Sequence, residues 1–253
     1  MADGTVTCPL VLDDEMITYR QLGRNGRLGN QLWQIASTIG VAHSRNETVG
    51  FPFWRYNAYF SVPERLFPDL SLVDGEDLGF DFLQDLGYLS EVEDLVRQYF
   101  RPRPEIWAAR AHRYRALLRL PHRTAVHVRR GDYLLHRDLF PPLPIDYYEE
   151  AMSLTQPPYV VFSDDIAWCR THFPPDCLFV EHNRDWEDLL LMMTCDEHIT
   201  ANSTFSWWGA WLANARAIYP SDWGPGFAHK GPLDVIPTDG IVLDVPTPVK
   251  AGG

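Results

Sequence analysis

A histidine and an arginine that suit a phosphorylated ligand stand at the end of an apolar run. Residues 124–129 (TAVHVR) predict a β-strand. Because side chains alternate along a strand, His127 and Arg129 share one side and Arg130 points to the other. Arginine offers fixed, bidentate donors for phosphate oxygens. The alternation favours Arg129 for the ligand and Arg130 for structure, although either arginine could instead pair with Asp132 to fix the turn.

A second candidate site follows the run His198 to Ala201, which also predicts a strand. Ser203, Thr204 and Phe205 come next and open a helix that extends to about Asn214. A helix start presents free N–H groups and the positive end of the helix dipole, and it therefore suits a diphosphate. The alternative is an ordinary helix cap, which is the commoner use of Ser and Thr.

A third candidate site is the polar sequence Ser163-Asp164-Asp165, which follows a strand ending at Phe162. Carboxylates at a strand end can accept hydrogen bonds from a ribose or from the edge of a guanine. Asp165 could equally cap the next helix. There is no Asp-x-Asp in the chain, and two adjacent aspartates alone are weak support for Mg²⁺.

The first half of the chain offers a glycine-containing turn. Gly26 and Gly29 stand between a predicted strand, Ile17 to Leu22, and a helix. Glycine lets the backbone approach a ligand closely, and Arg27 and Asn30 could reach a ligand from here. The alternative is a tight turn with Asn30 as the helix cap, which the spacing alone favours.

The order of predicted elements sets the fold class. Short apolar strands alternate with helices in the second half, which predicts a doubly wound α/β fold with a parallel sheet. The first half has one further βαβ unit, a capping box from Ser90 to Glu93 that opens a helix to about Phe100, and a helix from Arg103 to Leu120. We place the boundary at residue 121, with an N-terminal domain at 1–121 and a C-terminal domain at 122–253.

Composition restricts the partners. The 253 residues carry a formal net charge of −12, which disfavours general binding to nucleic acid or an anionic membrane. No apolar run approaches a membrane span, the first 12 residues lack the basic start of a signal peptide, and the four cysteines lack metal-site spacing. We therefore expect a soluble cytoplasmic protein with reduced thiols.

Two further clusters have alternative interpretations. The segment from Arg101 to Arg123 contains seven arginines and could attract an anionic donor, or it could be a solvated helix face. Four aromatic residues could form a stacking platform for a sugar or belong to the core, and their spacing does not decide: Trp54, Tyr56, Tyr59 and Phe60.

Four segments in order resemble the α-1,2-fucosyltransferases of glycosyltransferase family 11. They are GRLGNQ at 26–31, HVRRGDY at 127–133, FSDD at 162–165 and NSTFSWWGA at 202–210. The resemblance implies a GT-B-like fold of two Rossmann-like domains with parallel sheets facing a cleft. It also implies transfer of L-fucose from GDP-β-L-fucose to the 2-hydroxyl of a terminal galactose, with inversion and without a metal or other cofactor.

The resemblance also implies roles for individual residues. Arg129 would grip the diphosphate, His127 would lie near the nucleotide, and the step Ser203-Thr204-Phe205 would hold phosphate. We add Arg27 and Ser163-Asp164-Asp165 on the donor side, and Asn30 among the catalytic groups. Asp132 is the first candidate for a general base and Asp138 the second, or the departing phosphate takes the proton.

Two other functions remain open from the sequence. One is transfer of another GDP-sugar on the same fold, as by a peptide O-fucosyltransferase. The other is a nucleotide-sugar-binding protein without turnover.

Overall fold

The computed structural model describes residues 16–79, 81–227 and 235–246. The chain divides into two compact units, Met1–Arg103 and Pro104–Gly253. The first 12 residues, where a signal peptide would lie, and Cys8 among them are outside the described residues. Of the helices described, none is long and apolar enough to cross a membrane.

The N-terminal unit contains a three-stranded parallel sheet in the order β2-β1-β3. Its elements are β1 Met16–Thr18, α1 Leu28–Arg45, β2 Thr48–Gly50, β3 Gly75–Asp77 and α2 Glu93–Tyr99. Helix α1 connects β1 to β2 and buries a face with helical spacing that includes Leu32, Ile35 and Ile39. The predicted βαβ unit is confirmed, although its first strand ends at Thr18 rather than Leu22.

One local prediction in this unit is wrong, and burial decides between the two interpretations of the aromatic cluster. Helix α2 begins after Val92, which makes no side-chain cap, and the Ser90 hydroxyl donates to the carbonyl of Gly87 at 3.0 Å. The expected capping box is therefore absent here. Trp54, Tyr56 and Phe60 are buried, and the Trp54 ring stacks on Phe60 at 5.7 Å, so these aromatic residues form core rather than a sugar platform.

The C-terminal unit contains a six-stranded parallel sheet in the order β6-β5-β4-β7-β8-β9. Its strands are β4 Thr124–Val128, β5 Tyr159–Ser163, β6 Leu178–Phe179, β7 Glu197–Ile199, β8 Arg216–Pro220 and β9 Ile241–Leu243. Its helices are α3 Pro104–Ala111, α4 Arg115–Leu118, α5 Ile145–Ser153, α6 Ile166–His172, α7 Asp185–Met192 and α8 Thr204–Ala213. The predicted alternation of strands and helices is confirmed.

From Pro104 on, the arginine-rich segment belongs to the C-terminal unit. It forms α3, a 3-10 turn and α4, not one continuous helix from Arg103 to Leu120. Trp107, Tyr114 and Leu117 pack against the core cluster of the C-terminal sheet. The division between units therefore falls after Arg103, earlier than the boundary drawn at residue 121.

Helix α8 carries the densest aromatic packing of the C-terminal unit. Trp207, Trp208 and Trp211 are buried, and Trp207 stacks on Trp211 at 5.8 Å. The helical spacing of these residues already predicted a core role, and the structure confirms it. Cys169, Cys177 and Cys195 are free and buried.

Candidate functional site

Arg129 lies directly beyond β4, at the carboxyl edge of the C-terminal sheet. Its guanidinium forms ion pairs with Asp132, three residues on, and with Asp164, which follows the neighbouring strand β5. Its side chain is only 13% exposed. The predicted pairing of an arginine with Asp132 therefore occurs, and it involves the residue that alternation favours for the ligand.

Asp164 is fixed by the backbone as well as by Arg129. One carboxylate oxygen accepts from the N–H groups of Arg130 at 2.9 Å and Gly131 at 3.0 Å. Burial, the largest influence, would raise the pKa of Asp164, but the Arg129 charge and these two backbone donors together hold the pKa below its usual value. A Cβ on Gly131 would lie 2.5 Å from this carboxylate, which explains the glycine there.

Arg130 has structural partners. Its Nε donates to Asp165 at 3.1 Å, and its guanidinium lies 4.0 Å from the centroid of the Trp168 ring. Asp165 is also the N-cap of α6 and accepts from the Trp168 N–H at 3.1 Å. Ser163 accepts from the Asp165 N–H at 2.9 Å. Of the two interpretations of Asp165, the structure shows the cap.

His127 lies on β4, next to the ring of Phe205. The two ring centroids are 5.5 Å apart, and His127 is buried. Burial, assisted by the Arg129 charge, lowers the pKa of His127 to about 3, so the imidazole is neutral at physiological pH. Its Nδ1 is buried without a hydrogen-bond partner among the described residues.

Helix α8 starts at the end of β7, the strand beside β4. Ser203 is its N-cap and accepts from the Phe205 N–H at 3.3 Å. The Ser203 N–H is itself occupied, because it donates to the carbonyl of Ala201 at 2.8 Å. An anion bound at α8 would therefore meet the positive end of the helix at its first turn rather than the Ser203 N–H.

Arg27 and Asn30 belong to the N-terminal unit. Arg27 is exposed and occupies the N-cap position of α1, which makes no side-chain cap. Asn30 lies inside the first turn, and its side-chain Oδ1 accepts from the Gln84 amide at 3.1 Å. Asn30 is therefore not the helix cap that the spacing favoured. Gly26 has φ +74° and packs against Asn30, where a Cβ would approach within 2.6 Å.

Asp188 is a half-buried acidic residue that the sequence patterns did not identify as functional. It lies in the first turn of α7, beyond β6, and accepts from Asn183 at 2.8 Å. Asn183 in turn accepts from the Tyr114 hydroxyl at 2.7 Å. Burial, helped by the charges of Glu187 and Asp185, raises the pKa of Asp188 to about 7. The available signal was an acidic residue in the first turn of a helix that follows a strand.

The carboxylates of the site do not form a metal centre in the part of the chain that the structure describes. No group of three His, Cys, Asp or Glu side chains there could hold an ion. Asp164 and Asp165 are each paired with an arginine. Asp138, the second base candidate, is exposed in the loop beyond Asp132. Independence from metal stays a prediction.

Residues 105–222, which include the whole site around Arg129, match the sequence profile of glycosyl transferase family 11. The matched part, just under half of the chain, is similar to glycosyltransferase family 11. The resemblance carried by the four sequence segments is thereby confirmed, and three of those segments lie within the matched residues.

Curated relatives agree with the family. An O-antigen biosynthesis glycosyltransferase, WbnK, of Escherichia coli is 32% identical over 167 residues, covering 58% of this chain and 55% of the relative. An alpha-1,2-colitosyltransferase of the same organism is 31% identical, covering 56% and 54%. A galactoside alpha-(1,2)-fucosyltransferase 1 of Ateles belzebuth is 27% identical, covering 77% and 65%. The chain thus spans about half the length of the two bacterial relatives.

Solved structures agree with the fold. NodZ alpha-1,6-fucosyltransferase, soaked with GDP-fucose, aligns with a TM-score of 0.52 at 19% identity, covering 79% of this chain and 93% of NodZ. POFUT1 in complex with GDP aligns with a TM-score of 0.50 at 12% identity, covering 92% and 99%. The predicted α/β, GT-B-like fold with parallel sheets is confirmed.

Proposed function

We propose that this chain transfers L-fucose from GDP-β-L-fucose to the 2-hydroxyl of a terminal galactose, forming an α-1,2 linkage with inversion. The observation that carries the proposal is the placement of Arg129 and the first turn of α8 at the ends of adjacent strands, β4 and β7. A guanidinium and a helix N-terminus side by side suit a diphosphate. The names of the relatives support both the linkage and the galactoside acceptor.

Arg129 and α8 would act on the leaving group. As the bond between the sugar's anomeric carbon and the phosphate oxygen breaks, negative charge grows on GDP while the sugar takes on oxocarbenium character. Preorganised donors stabilise that growing charge without having to reorganise. The acceptor hydroxyl attacks the opposite face of the anomeric carbon, so the configuration inverts.

Asp132 would exchange places with the donor diphosphate. Arg129, Arg130, Asp132, Asp164 and Asp165 together carry two positive and three negative formal charges, so a diphosphate would meet repulsion unless a carboxylate moved. The side chain of Asp132 is 39% exposed and lies on a 3-10 turn, whereas Asp164 is tied to two backbone N–H groups. Asp132 is therefore the partner that Arg129 releases.

The released Asp132 carboxylate would then be a candidate to take the proton of the acceptor hydroxyl. The proton otherwise passes to the departing phosphate. In either case Arg129, not a metal ion, supplies the positive charge beside the phosphates. Transfer should therefore persist in excess EDTA after dialysis, and a large loss that Mn²⁺ or Mg²⁺ restores would contradict this assignment.

Asp188 is the candidate residue for recognising the guanine base. Guanine presents two adjacent donors, N1–H and the 2-amino group, which fit one carboxylate. Asp164 and Asp165 are engaged by arginines, whereas Asp188 is a half-buried carboxyl at the same edge of the sheet that pairs with no arginine in an ion pair among the described residues. Phe205 packs against the same apolar cluster as Val180, which precedes α7, and it also contacts His127. The ring of Phe205 thus connects the phosphate end of the site to the α7 end.

The donor sugar has a second candidate. An E. coli relative is named for transferring colitose, which is L-fucose without its 3-hydroxyl. Both sugars would be carried by the same nucleotide, so the Arg129 and α8 contacts fit either one. The other possibilities are a peptide acceptor and binding without turnover.

A single acceptor and donor screen tests these functions. The purified chain is incubated with GDP-fucose or GDP-colitose and with lactose or a folded peptide domain, and the product linkage is determined by NMR. We expect fucosyllactose with an α-1,2 linkage. Preference for GDP-colitose or for the peptide would replace the substrate assignment. GDP binding without release of any product would instead indicate a binding protein.

A further inference from the structure

Asn202 joins two loops that begin at different strands of the C-terminal sheet. Its side-chain Nδ2 donates to the carbonyl of Pro141 at 2.9 Å and to the carbonyl of Trp223 at 3.4 Å. Its backbone carbonyl accepts from the Tyr133 hydroxyl at 2.9 Å. Asn202 is completely buried and immediately precedes Ser203. We propose that Asn202 is a positioning residue that holds both loops against the start of α8.

The order of the strands explains why one residue reaches both loops. Strand β7 lies between β4 and β8, and Asn202 stands beyond the end of β7. The β4 loop, residues 131–143, and the β8 loop, residues 221–227, therefore emerge on either side of it. Pro141 belongs to the first and Trp223 to the second.

The two loops also contact each other directly. The Tyr133 ring stacks on Phe140 at 5.4 Å, and Phe140 meets the edge of Phe227 at 5.3 Å. The Gly226 N–H donates to the carbonyl of Leu139 at 2.8 Å. The loops thus form one packed layer, and the hydrogen bonds of Asn202 attach that layer to the junction of β7 and α8.

The chemistry of the contacts requires an amide. Both partners of the Asn202 side chain are carbonyl oxygens, which only accept, so the NH₂ group must face them. The Oδ1 atom is buried and accepts no hydrogen bond among the described residues. A carboxylate of the same shape would face two carbonyl oxygens with no proton to donate. The position therefore calls for a donor, not merely for a side chain of this volume.

The role of this residue in transfer rests on the proposed function. The β4 loop carries Asp132 and Asp138, and the residue after Asn202 caps the helix proposed to hold the diphosphate. Asn202 cannot touch a substrate, because it is buried. Its effect would be to keep the Asp132 loop in register with the α8 start while the donor reacts.

The first test needs no substrate. Amide hydrogen exchange is measured for both loops in the free protein, in the wild type and in Asn202→Ala. We expect exchange to accelerate at least about tenfold in the β4 and β8 loops together. The matched control is Asn214→Ala, because Asn214 ends the same helix in a left-handed conformation, φ +53°, and contacts neither loop in this way. Unchanged exchange in either loop, or equal acceleration in the control, would overturn the proposal.

A milder variant covers the case in which Asn202→Ala does not fold. Tyr133→Phe removes only the hydroxyl that reaches Asn202 and keeps the stacked ring. It should accelerate exchange in the β4 loop and leave the β8 loop as in the wild type. If both loops accelerate to the same degree, they open together whichever hydrogen bond of Asn202 is lost. That result would contradict the proposal that Asn202 holds each loop through a bond of its own.

The role of the Asn202 side chain as a hydrogen-bond donor is tested by varying the pH with Asn202→Asp. At pH 8 this variant should exchange faster than Asn202→Ala, and at pH 6, where the buried new carboxyl gains a proton and can donate, the difference should shrink. A difference that does not change with pH would contradict the role as a hydrogen-bond donor.

A kinetic test is possible where the wild type is active. Asn202→Ala should then lower kcat about 10- to 100-fold while GDP affinity changes less than about threefold. If the wild type transfers no sugar, the exchange results still decide this proposal separately.

Discussion

The two edges of the C-terminal sheet both carry charged networks, but the networks end on different atoms. At the carboxyl edge, Arg129 is held by the side chains of Asp132 and Asp164. At the amino edge, Glu197 accepts from the backbone N–H of Gln156 at 3.0 Å and pairs with Arg216 at 2.6 Å. Side-chain partners can rotate away for a ligand, whereas backbone partners cannot move without the strand.

Other contacts at the amino edge also involve the backbone. Asp196 accepts from the Arg123 N–H at 2.9 Å, and the Arg123 guanidinium donates to the carbonyl of Thr194 at 2.6 Å. His122 contacts Glu197 at 3.3 Å. These contacts join the starts of β4, β5, β7 and β8. We therefore expect the amino edge to contribute stability and the carboxyl edge to contribute function.

The largest effect should come from Arg129→Lys. Loss of one preorganised donor to a developing anion typically lowers kcat about 10²- to 10³-fold, roughly 3–4 kcal/mol. Lysine keeps the charge but loses the bidentate fork. Arg130→Lys is the matched control, because Arg130 has the same charge but pairs with a helix cap and stacks on Trp168. The measurement is kcat at saturating GDP-fucose, with melting temperatures alongside. A more damaged Arg130→Lys of equal stability would transfer the role to Arg130.

The next largest effect belongs to the amino edge. Glu197→Gln removes the charge that pairs with Arg216 and His122, and we expect a loss of about 2–3 kcal/mol in the free energy of unfolding. The activity of the folded fraction should stay within about twofold, because the site lies at the other ends of the strands. Urea unfolding and kcat measure the two quantities. A large fall in kcat without a fall in stability would abolish the distinction between the edges.

The first turn of α8 gives the next test. Thr204 is the first helical residue, where proline is tolerated, and the extended Ser203 before it suits a following proline. Thr204→Pro removes one N–H, and we expect GDP affinity to fall about 10- to 30-fold, as for a hydrogen bond to a charged group. Thr204→Val keeps the N–H and is the control. Equal affinities by calorimetry in the two folded variants would place the phosphates elsewhere.

Asp188→Asn should change GDP affinity by about tenfold. If its ionised carboxylate binds guanine, GDP affinity should rise with pH up to about 7, the pKa of Asp188 in the free protein, and level off above it. Asp188→Asn should lose this pH dependence together with the preference for GDP over inosine diphosphate, which lacks the 2-amino group. The exposed Asp185→Asn, in the same helical turn, is the control. A wild type that binds both nucleotides equally would exclude Asp188 as the reader of the base.

The sequence predicted the repeating elements better than the interactions at their ends. Strand β4 and helix α8 follow from apolar runs, and the sides of His127 and Arg129 follow from alternation. The three-residue β1 was overestimated because the apolar period continues into the turn at Tyr19 to Leu22. The double pairing of Arg129 could not be predicted, since Asp164 reaches it only through the parallel register of β4 and β5. Asp188 escaped notice because its hydrogen-bond partner Asn183 is held by Tyr114, which is distant in sequence.

The smallest predicted effect concerns His198, a buried neighbour of Glu197 on β7. Burial lowers the pKa of His198 to about 4. The unfolded chain therefore binds more protons than the folded chain between pH 4 and about 6.5, and this contribution to stability is lost as pH falls through that window. The free energy of unfolding changes through His198 by about 1 kcal/mol per pH unit at most.

Replacement of His198 tests this contribution. His198→Gln does not titrate at this position, so its stability should decline less steeply than that of the wild type between pH 6.5 and 5.5. His127, Asp188 and Glu197 titrate in both proteins, so the difference between the two urea-unfolding series isolates His198. Parallel series would show that His198 adds nothing to the pH response, and the acid sensitivity would then belong to the carboxyl edge through His127.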